Sequence, residues 1–177
     1  MPITLPIWLS GFRKPFISPT DFLLIWKIWR NIFPTQSVLQ RKGFQLVSMC
    51  FFCRSDDESI SHIFGRCCFT FRLWLYIQEI FRCTHDFQSL DSLFTYLYRS
   101  NCSAQLQSLL LAAAAGLLSF VWRSQNETVF NNQHHAIHAG ILAIHRGVMA
   151  ASKIQMGEMH NEFSDLIILR SLGIAGR

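Results

Sequence analysis

Apolar residues recur at three- and four-residue spacing along most of this chain, which is the pattern of amphipathic helices. The first helix is predicted to begin after Ser18, because a serine N-cap, Pro19 at the first helical position and Asp21 at the third form a start signal. Its apolar positions continue to Pro34 and form an aromatic stripe of Phe22, Trp26, Trp29 and Phe33. We expect this stripe to lie on the surface and to meet a partner.

Further helices follow at the same spacing. A short helix capped by Thr35 is predicted to end at Lys42. Ser55 and Glu58 have the spacing of a capping box, which predicts the start of a helix that carries His62. We expect this helix to be interrupted near Gly65. Apolar periodicity also predicts helices over about 90–97, 106–121, 137–148 and 164–172. Alternation with a period of two is almost absent, so the expected fold class is mainly α.

The composition fits a folded domain with a substantial core. Half of the 177 residues are apolar and only 15% are charged, well below the roughly 25% of an ordinary soluble domain. The longest apolar run, residues 109–122, is shorter than the roughly 18–20 residues that span a bilayer, so a buried helix is expected. No basic residue precedes Arg13, so an export signal is not predicted. We expect an intracellular protein, nuclear or cytoplasmic, without a membrane partner.

The net charge of +5 is concentrated in the first half of the chain. Residues 21–82 carry eight basic and five acidic residues, whereas residues 83–177 carry six of each. This distribution gives a mild preference for polyanions, well short of the dense basic runs of a strongly electrostatic binder.

Four potential metal ligands lie in one short window with the pattern C-x2-C-x8-H-x4-C, and they are Cys50, Cys53, His62 and Cys67. In a reducing compartment, clustered Cys and His indicate a metal ion rather than disulfides. Two thiolates from one tight turn, with an imidazole and a third thiolate from the following helix and its end, form a tetrahedral zinc site. Because protein fills all four positions, we expect the zinc to be structural and not catalytic.

Other interpretations of the cysteines and histidines stay open. The CFFC sequence is also compatible with a redox-active pair of thiols. The four residues are further compatible with buried core residues that bind no metal. Cys68 is a spare thiol beside Cys67 and an alternative fourth ligand. His134 and His138 lie four residues apart and form a weaker second metal candidate, since no further ligand completes it.

The cysteines belong to a longer pattern, IWKIWRNIFPTQSVLQRKGFQLVSMCFFC followed by DESISHIFGRCCFTFRLW. This pattern resembles the reverse-transcriptase zinc-binding domain of plant non-LTR (LINE-type) retrotransposon polyproteins, over about residues 16–82. The family has an aromatic helix, a Pro-Thr step, a Leu and basic-Gly segment, C-x-x-C, a Glu-Ser before the histidine, and a cysteine seven residues before a tryptophan. The matching positions here are Pro34, Thr35, Leu39, Arg41, Gly43, Glu58, Ser59, His62, Cys67 and Trp74.

The resemblance implies a piece of a retrotransposon polyprotein. FVWRSQNETVF is similar, more weakly, to a segment that follows the zinc-binding domain in such elements, and ILRSLGIAGR resembles a tether to an RNase H domain. We therefore expect a truncated polyprotein with an N-terminal segment (1–17), a zinc-binding domain (18–82) and a helical region that ends in the tether-like segment (83–177).

No residue pattern indicates catalysis. A polymerase or RNase H needs several clustered carboxylates to hold its metal ions, and the one cluster among eleven acidic residues, 56–58, is better explained by helix capping. Phosphate-binding loops, nucleophile elbows and zinc-protease motifs do not occur in the sequence. We expect no enzymatic activity and no small-molecule substrate.

The family resemblance implies a zinc-dependent module that binds nucleic acid, either RNA or DNA. The residues expected to contact phosphates and stack on bases are Arg41, Lys42, Phe44, Phe51, Phe52 and Arg54. Two alternatives stay open. One is a non-catalytic spacer that packs on a neighbouring polymerase or RNase H domain, and the other is a retroelement remnant without function.

Overall fold

Helices dominate the architecture. The structure, a computed structural model, describes residues 6–45, 48–84, 89–100, 102–154 and 163–174. These residues form eight α-helices and one π-helical turn, and none of them lies in a β-strand, which confirms the mainly α fold class. The elements are α1 (Ile7–Gly11), α2 (Pro19–Trp29), α3 (Gln36–Arg41), the π-helical turn (His62–Arg66), α4 (Cys68–Phe81), α5 (Leu90–Arg99), α6 (Ala104–Asn131), α7 (Ile137–Ile154) and α8 (Phe163–Ser171).

Helix α6 forms the centre of the fold and contacts α2, α4, α5, α7 and the π-helical turn. Its 28 residues are long and apolar enough to cross a membrane, by length and composition only. However, 72% of its most apolar window is buried inside the protein. The apolar run is therefore a core helix, as the sequence predicts, because a helix that is apolar on all sides is buried when other helices surround it.

Two glycines let α6 and α7 pack backbone against backbone. A Cβ atom at Gly116 of α6 would lie 2.9 Å from the carbonyl oxygen of Ala143, and one at Gly147 of α7 would lie 2.7 Å from that of Ala112. Such distances are shorter than van der Waals contact, so a larger residue would push the helices apart. This close approach therefore requires glycine.

Helix α2 begins where the sequence predicts but ends earlier. The Ser18 hydroxyl accepts a hydrogen bond from the backbone N–H of Asp21 at 3.1 Å, which caps the helix. The helix ends at Trp29, because Asn31 adopts a left-handed backbone conformation with φ 53°. The chain therefore turns before the aromatic stripe is complete.

The aromatic stripe is largely internal, which corrects the expectation that it forms a partner surface. Phe33 is 2% exposed, and its ring lies 5.3 Å from that of Phe64 and 4.2 Å from that of Trp122. The other three stripe residues are half-buried against the same core, namely Phe22, Trp26 and Trp29. Helical spacing places these residues on one face, but it does not tell whether that face meets the protein's own core or another molecule.

Helix α1 lies in the N-terminal segment, for which the pattern predicts no helix. Trp8 packs on Phe94 of α5 with ring centroids 4.6 Å apart, and its indole N–H donates a hydrogen bond to Asp91 at 3.1 Å. The apolar core of the described residues is continuous from Trp8 to Leu172. The division at 17/18 and at 82/83 stays a prediction.

The other helices confirm the periodicity outside the Cys-Cys-His-Cys segment. Thr35 caps α3, as predicted, by accepting a hydrogen bond from the backbone N–H of Val38 at 3.4 Å. Helices α5, α6 and α7 cover the predicted ranges and extend beyond them. Helix α8 ends before Gly173, whose φ of 71° favours glycine.

We expect Gly147→Val to lower the free energy of unfolding by about 2 kcal/mol, because the valine Cβ would overlap the backbone of α6. Chemical denaturation of the purified chain measures this change. The matched control is Ala150→Val, at an exposed position of the same helix, which should change the unfolding free energy by less than about 0.5 kcal/mol. Equal stability of the two variants would contradict a close contact between α6 and α7.

Candidate metal centre

The four predicted ligands lie together at one end of the core. Their ligand atoms are all within 4.8 Å of one another, and the residues, called the Cys/His cluster from here on, are Cys50, Cys53, His62 and Cys67. The sulfurs of Cys50 and Cys67 are 3.7 Å apart, and the Cys53 sulfur is 3.3 Å from Nε2 of His62. Cys53 is half-buried, and the other three side chains are buried.

The spacing of the Cys/His cluster fits a tetrahedral zinc ion. Zinc–sulfur bonds of about 2.3 Å and zinc–nitrogen bonds of about 2.0 Å give tetrahedral edges of about 3.5–3.8 Å. The sulfur–sulfur distance of 3.7 Å and the sulfur–nitrogen distance of 3.3 Å lie close to these edges. Three thiolates and one imidazole are also a donor set that suits zinc. The cluster is therefore a candidate metal site whose four ligands all come from protein.

A tight backbone turn presents the first two sulfurs. The backbone N–H of Cys50 donates to the carbonyl of Asp56 at 2.8 Å, and the backbone N–H of Arg54 donates to the carbonyl of Cys50 at 2.9 Å. Arg54 has a φ of 53°, which turns the chain sharply after Cys53. These bonds close the loop on itself, so that both sulfurs point to the same side.

The π-helical turn brings the histidine to the same side as the third sulfur. The backbone N–H of Cys67 donates to the carbonyl of His62 at 2.7 Å, a bond that spans five residues. Side chains five residues apart in an α-helix point about 140° away from each other. In the wider π-helical turn, residues five apart lie one turn apart on the same side. The four residues between His62 and Cys67 therefore give the spacing that this turn requires.

Side chains of α4 satisfy two carbonyls of the π-helical turn. The Thr70 hydroxyl donates to the carbonyl of Ile63 at 2.6 Å, and the indole N–H of Trp74 donates to the carbonyl of Phe64 at 2.8 Å. Both donors are buried, so these bonds are shielded from competing water. Trp74, a position of the family pattern, thus stabilises the irregular turn that carries the histidine.

The predicted capping box of Ser55 and Glu58 is wrong. Ser55 donates to the carbonyl of Cys53 at 2.8 Å, within the cysteine turn. The helical segment is capped instead by Ser59, whose hydroxyl accepts from the backbone N–H of His62 at 3.2 Å. Glu58 is buried and its Oε1 accepts from the backbone N–H of Gln36 at 2.9 Å, so it holds the start of α3 against the loop.

The carboxylate of Asp56 lies beside the imidazole of the cluster, although Nδ1 of His62 has no formed hydrogen bond with any described residue. Its Oδ2 atom lies 3.3 Å from Nδ1 of His62, on the side of the ring opposite to the Cys53 sulfur. A carboxylate behind a ligating histidine fixes the ring and favours the tautomer with a free Nε2. The sequence alone indicates helix capping for the acidic residues 56–58. It does not predict that Asp56 lies beside the histidine ring.

The sulfurs of Cys50 and Cys67 lie within hydrogen-bond distance of each other. A hydrogen bond from the Cys67 thiol lowers the pKa of Cys50 to about 5, against the opposing effect of burial. The same hydrogen bond, together with burial and the nearby negative charge, raises the pKa of Cys67. Within this pair the thiolate is favoured at Cys50, and a metal ion that displaces the proton of Cys67 would make both sulfurs thiolates.

The other cysteine and histidine candidates lie outside the cluster. Cys67 is buried within it, whereas the neighbouring Cys68 is exposed at the first position of α4. His134 and His138 are exposed, and no further group of three metal-ligating residues occurs among the described residues. The neighbouring His135 ring contacts the carboxylate of Glu127.

The residues predicted to contact nucleic acid differ in exposure. The cationic members and one phenylalanine are exposed, namely Arg41, Lys42, Arg54 and Phe44. Phe51 and Phe52 are half-buried, and the Phe52 ring stacks on that of Phe69 with centroids 4.7 Å apart. The Phe52 ring is therefore used in packing on α4.

Comparison with known proteins agrees with this site. Residues 7–74 match the family described as zinc-binding in reverse transcriptase. The match runs from α1 into α4 and includes the whole Cys/His cluster, which the reverse-transcriptase zinc-binding pattern predicts. No curated protein and no solved structure matches the chain.

Removing a cluster ligand should release zinc from the purified chain and destabilise it. We expect Cys50→Ser and His62→Ala to lose the metal and to lower the Tm by more than about 10 °C, because a structural zinc contributes folding free energy. Elemental analysis and thermal denaturation measure the two effects.

Cys68→Ser is the matched control, since it removes an exposed thiol beside the cluster. It should keep the zinc content and Tm of the unmodified chain. Zinc retained in Cys67→Ser but lost in Cys68→Ser would make Cys68 the fourth ligand.

Glu58→Gln should stabilise the chain at pH 8 and have little effect at pH 5. Burial, with the charge of Cys50 adding to it, raises the pKa of Glu58 from 4.5 to about 7, although hydrogen bonds from Gln36 and Gln125 oppose the shift. The folded state therefore favours the protonated carboxyl, and this stability is lost as the pH rises through 7. Glutamine keeps an acceptor for Gln36 without the buried charge.

Thermal denaturation across this pH range measures the effect of Glu58→Gln. Glu79→Gln is the control, because Glu79 is exposed and should give the pH profile of the unmodified chain. A Glu58→Gln profile parallel to that of the unmodified chain would contradict the assigned cause.

Proposed function

We propose that this chain is a zinc-stabilised module that binds nucleic acid and has no catalytic activity of its own. The observation that carries the proposal is the Cys/His cluster, whose four ligand atoms lie within 4.8 Å of one another in a domain of the reverse-transcriptase zinc-binding family. We further propose an origin in a plant non-LTR retrotransposon polyprotein and an intracellular location, nuclear or cytoplasmic, where the thiols stay reduced.

Zinc has a structural role in this proposal. The ion would be held by the cysteine turn on one side and by the end of the π-helical turn on the other. With four protein ligands it has no position for a reactive water, so it supplies folding energy and not chemistry. The ion would thus tie the loop after α3 to the beginning of α4.

Nucleic acid is the proposed partner because of charge and family. The chain has a net charge of +5, and exposed cations and an exposed phenylalanine flank the cysteine turn, namely Arg41, Lys42, Arg54 and Phe44. Cations neutralise phosphates and aromatic rings stack on bases, so this combination favours single-stranded RNA or DNA.

A second candidate function is a spacer that packs on a neighbouring polymerase or RNase H domain. The observation that favours it is a set of large apolar side chains left exposed at the ends of helices. Phe130 at the end of α6 is 79% exposed, and Ile7 in α1 is 62% exposed. A spacer would use such side chains to contact another protein, and it would need no affinity for nucleic acid.

The zinc-loaded chain should bind a fluorescently labelled 20-nucleotide RNA or DNA strand with a Kd on the order of 1–100 µM at physiological salt. The affinity should fall steeply as salt rises, because phosphate contacts release counterions. Fluorescence anisotropy at several salt concentrations measures both effects. The absence of binding at low salt, in a chain that holds zinc and is folded, would favour the spacer.

A further inference from the structure

Two adjacent grooves lie on the face formed by α2, α6 and α7, and no residue of the Cys/His cluster lines either of them. One, of about 400 Å³, lies between α2 and α6 and is lined by Lys27, Trp122 and Arg123 among others. The second, of about 280 Å³, lies where α2 begins, against α6 and α7, and is lined by Arg123 and Arg146. Arg123 lines both grooves, so the two form one track along this face.

Three cations on this track have no carboxylate partner among the described residues. Arg123 and Arg146 are exposed and Lys27 is half-buried, and none of them lies within 4 Å of a carboxylate oxygen in the described part of the chain. An unpaired cation in a concave surface keeps its full attraction for an external anion.

The one acidic residue that lines either groove is already used in the fold. Oδ1 of Asp21 accepts a hydrogen bond from Ser119 of α6, and Oδ2 accepts one from the Ser18 hydroxyl at 2.7 Å. These bonds hold the carboxylate at the contact between α2 and α6. The described lining of the two grooves therefore carries three positive charges and one negative charge.

The surface around the Cys/His cluster differs from the track in that it carries several acidic groups beside its cations. Arg54, Arg66 and Arg72 lie near the cluster in sequence, and Asp56 and Asp57 lie between its ligands. Three thiolates around a divalent zinc add about one further negative charge. These negative charges offset part of the positive charge of the surface, which also includes Arg41 and Lys42, and so weaken its attraction for phosphates.

We propose that the track formed by α2, α6 and α7 binds the phosphate backbone of a nucleic-acid strand, with Lys27, Arg123 and Arg146 as phosphate contacts. This inference rests on the proposed function, and it locates the main electrostatic contact away from the cysteine turn. Trp122 is half-buried in the floor of the larger groove and supplies an aromatic surface for a base. Asn126 lines the same groove and adds a polar group for sugar or base contacts.

The test compares two triple variants of the full, zinc-loaded chain. The track variant carries Lys27→Gln, Arg123→Gln and Arg146→Gln. The matched control removes the same number of cations beside the cysteine turn, with Arg41→Gln, Lys42→Gln and Arg54→Gln. Zinc content and Tm of both variants are compared with the unmodified chain, and Arg123→Glu alone serves as a second track variant with a single exposed substitution.

The track variant should bind the labelled strand at least about tenfold more weakly than the unmodified chain at low salt. The slope of log affinity against log salt should become shallower by about 2, since each lost phosphate contact on a single strand removes about 0.7. The control should change the affinity and the slope much less, and Arg123→Glu should weaken binding in the same direction as the track variant.

Three results would overturn the inference. If the unmodified chain binds no strand, both the proposed function and the proposed role of the track are contradicted. Full loss of binding in the control but not in the track variant would keep the proposed function and move the contact to the cysteine turn. Equal competition by polyglutamate and by unlabelled strand at matched charge would indicate an acidic protein partner instead of a phosphate backbone.

Discussion

Burial of one helix that is apolar on all sides is the constraint on which the rest of this structure depends. The apolar part of helix α6, which makes up most of its length, cannot be exposed to water without a large loss of hydrophobic free energy, so helices before and after it cover that part. Helices α2, α4, α5 and α7 each contact it, and the glycines between α6 and α7 allow the closest of these contacts. The core is therefore assembled from segments that are distant in sequence.

The candidate metal centre is attached to this core through its irregular backbone. The π-helical turn contacts α6, and Phe64 within it packs edge-on against Phe33 at 5.3 Å. A π-helical turn is less favourable than a regular helix, and such turns are frequent at functional sites. Here it gives the histidine and the third cysteine a common side, and Thr70 and Trp74 stabilise it from α4.

The proposed zinc site and the proposed phosphate track have different roles and consist of different residues. The Cys/His cluster consists of buried or half-buried side chains and joins α3 to α4, which suits a structural role. The cations at α2, α6 and α7 are held in place by the packing of those helices. Zinc would then affect nucleic-acid affinity indirectly, through the stability of the domain that positions α2 against α6.

Much of the helical structure could be predicted from the sequence, because it depends on local signals. The cap at Ser18, the cap at Thr35 and the apolar periodicity of α5 to α8 each act over a few residues. The four residues of the cluster could also be selected by spacing, since a thiolate pair two residues apart is a local feature. The resemblance over about residues 16–82 and the family match over residues 7–74 both include these four residues.

Other features depend on contacts between residues far apart in sequence. The acidic residues at 56–58 have the pattern of a cap, but Glu58 instead meets α3 and Asp56 meets the histidine ring. The aromatic stripe has the periodicity of a surface or of a core, and only the packing of α1, α6 and the π-helical turn against it decides that it lies on the protein's own core. Lys27, Arg123 and Arg146 form no pattern along the chain and share a face only after three helices have packed. By itself, the sequence determined most of the helices and the four residues that form the Cys/His cluster. The tertiary structure decided which faces are buried and where positive charge accumulates, because burial and charge depend on which helices pack together.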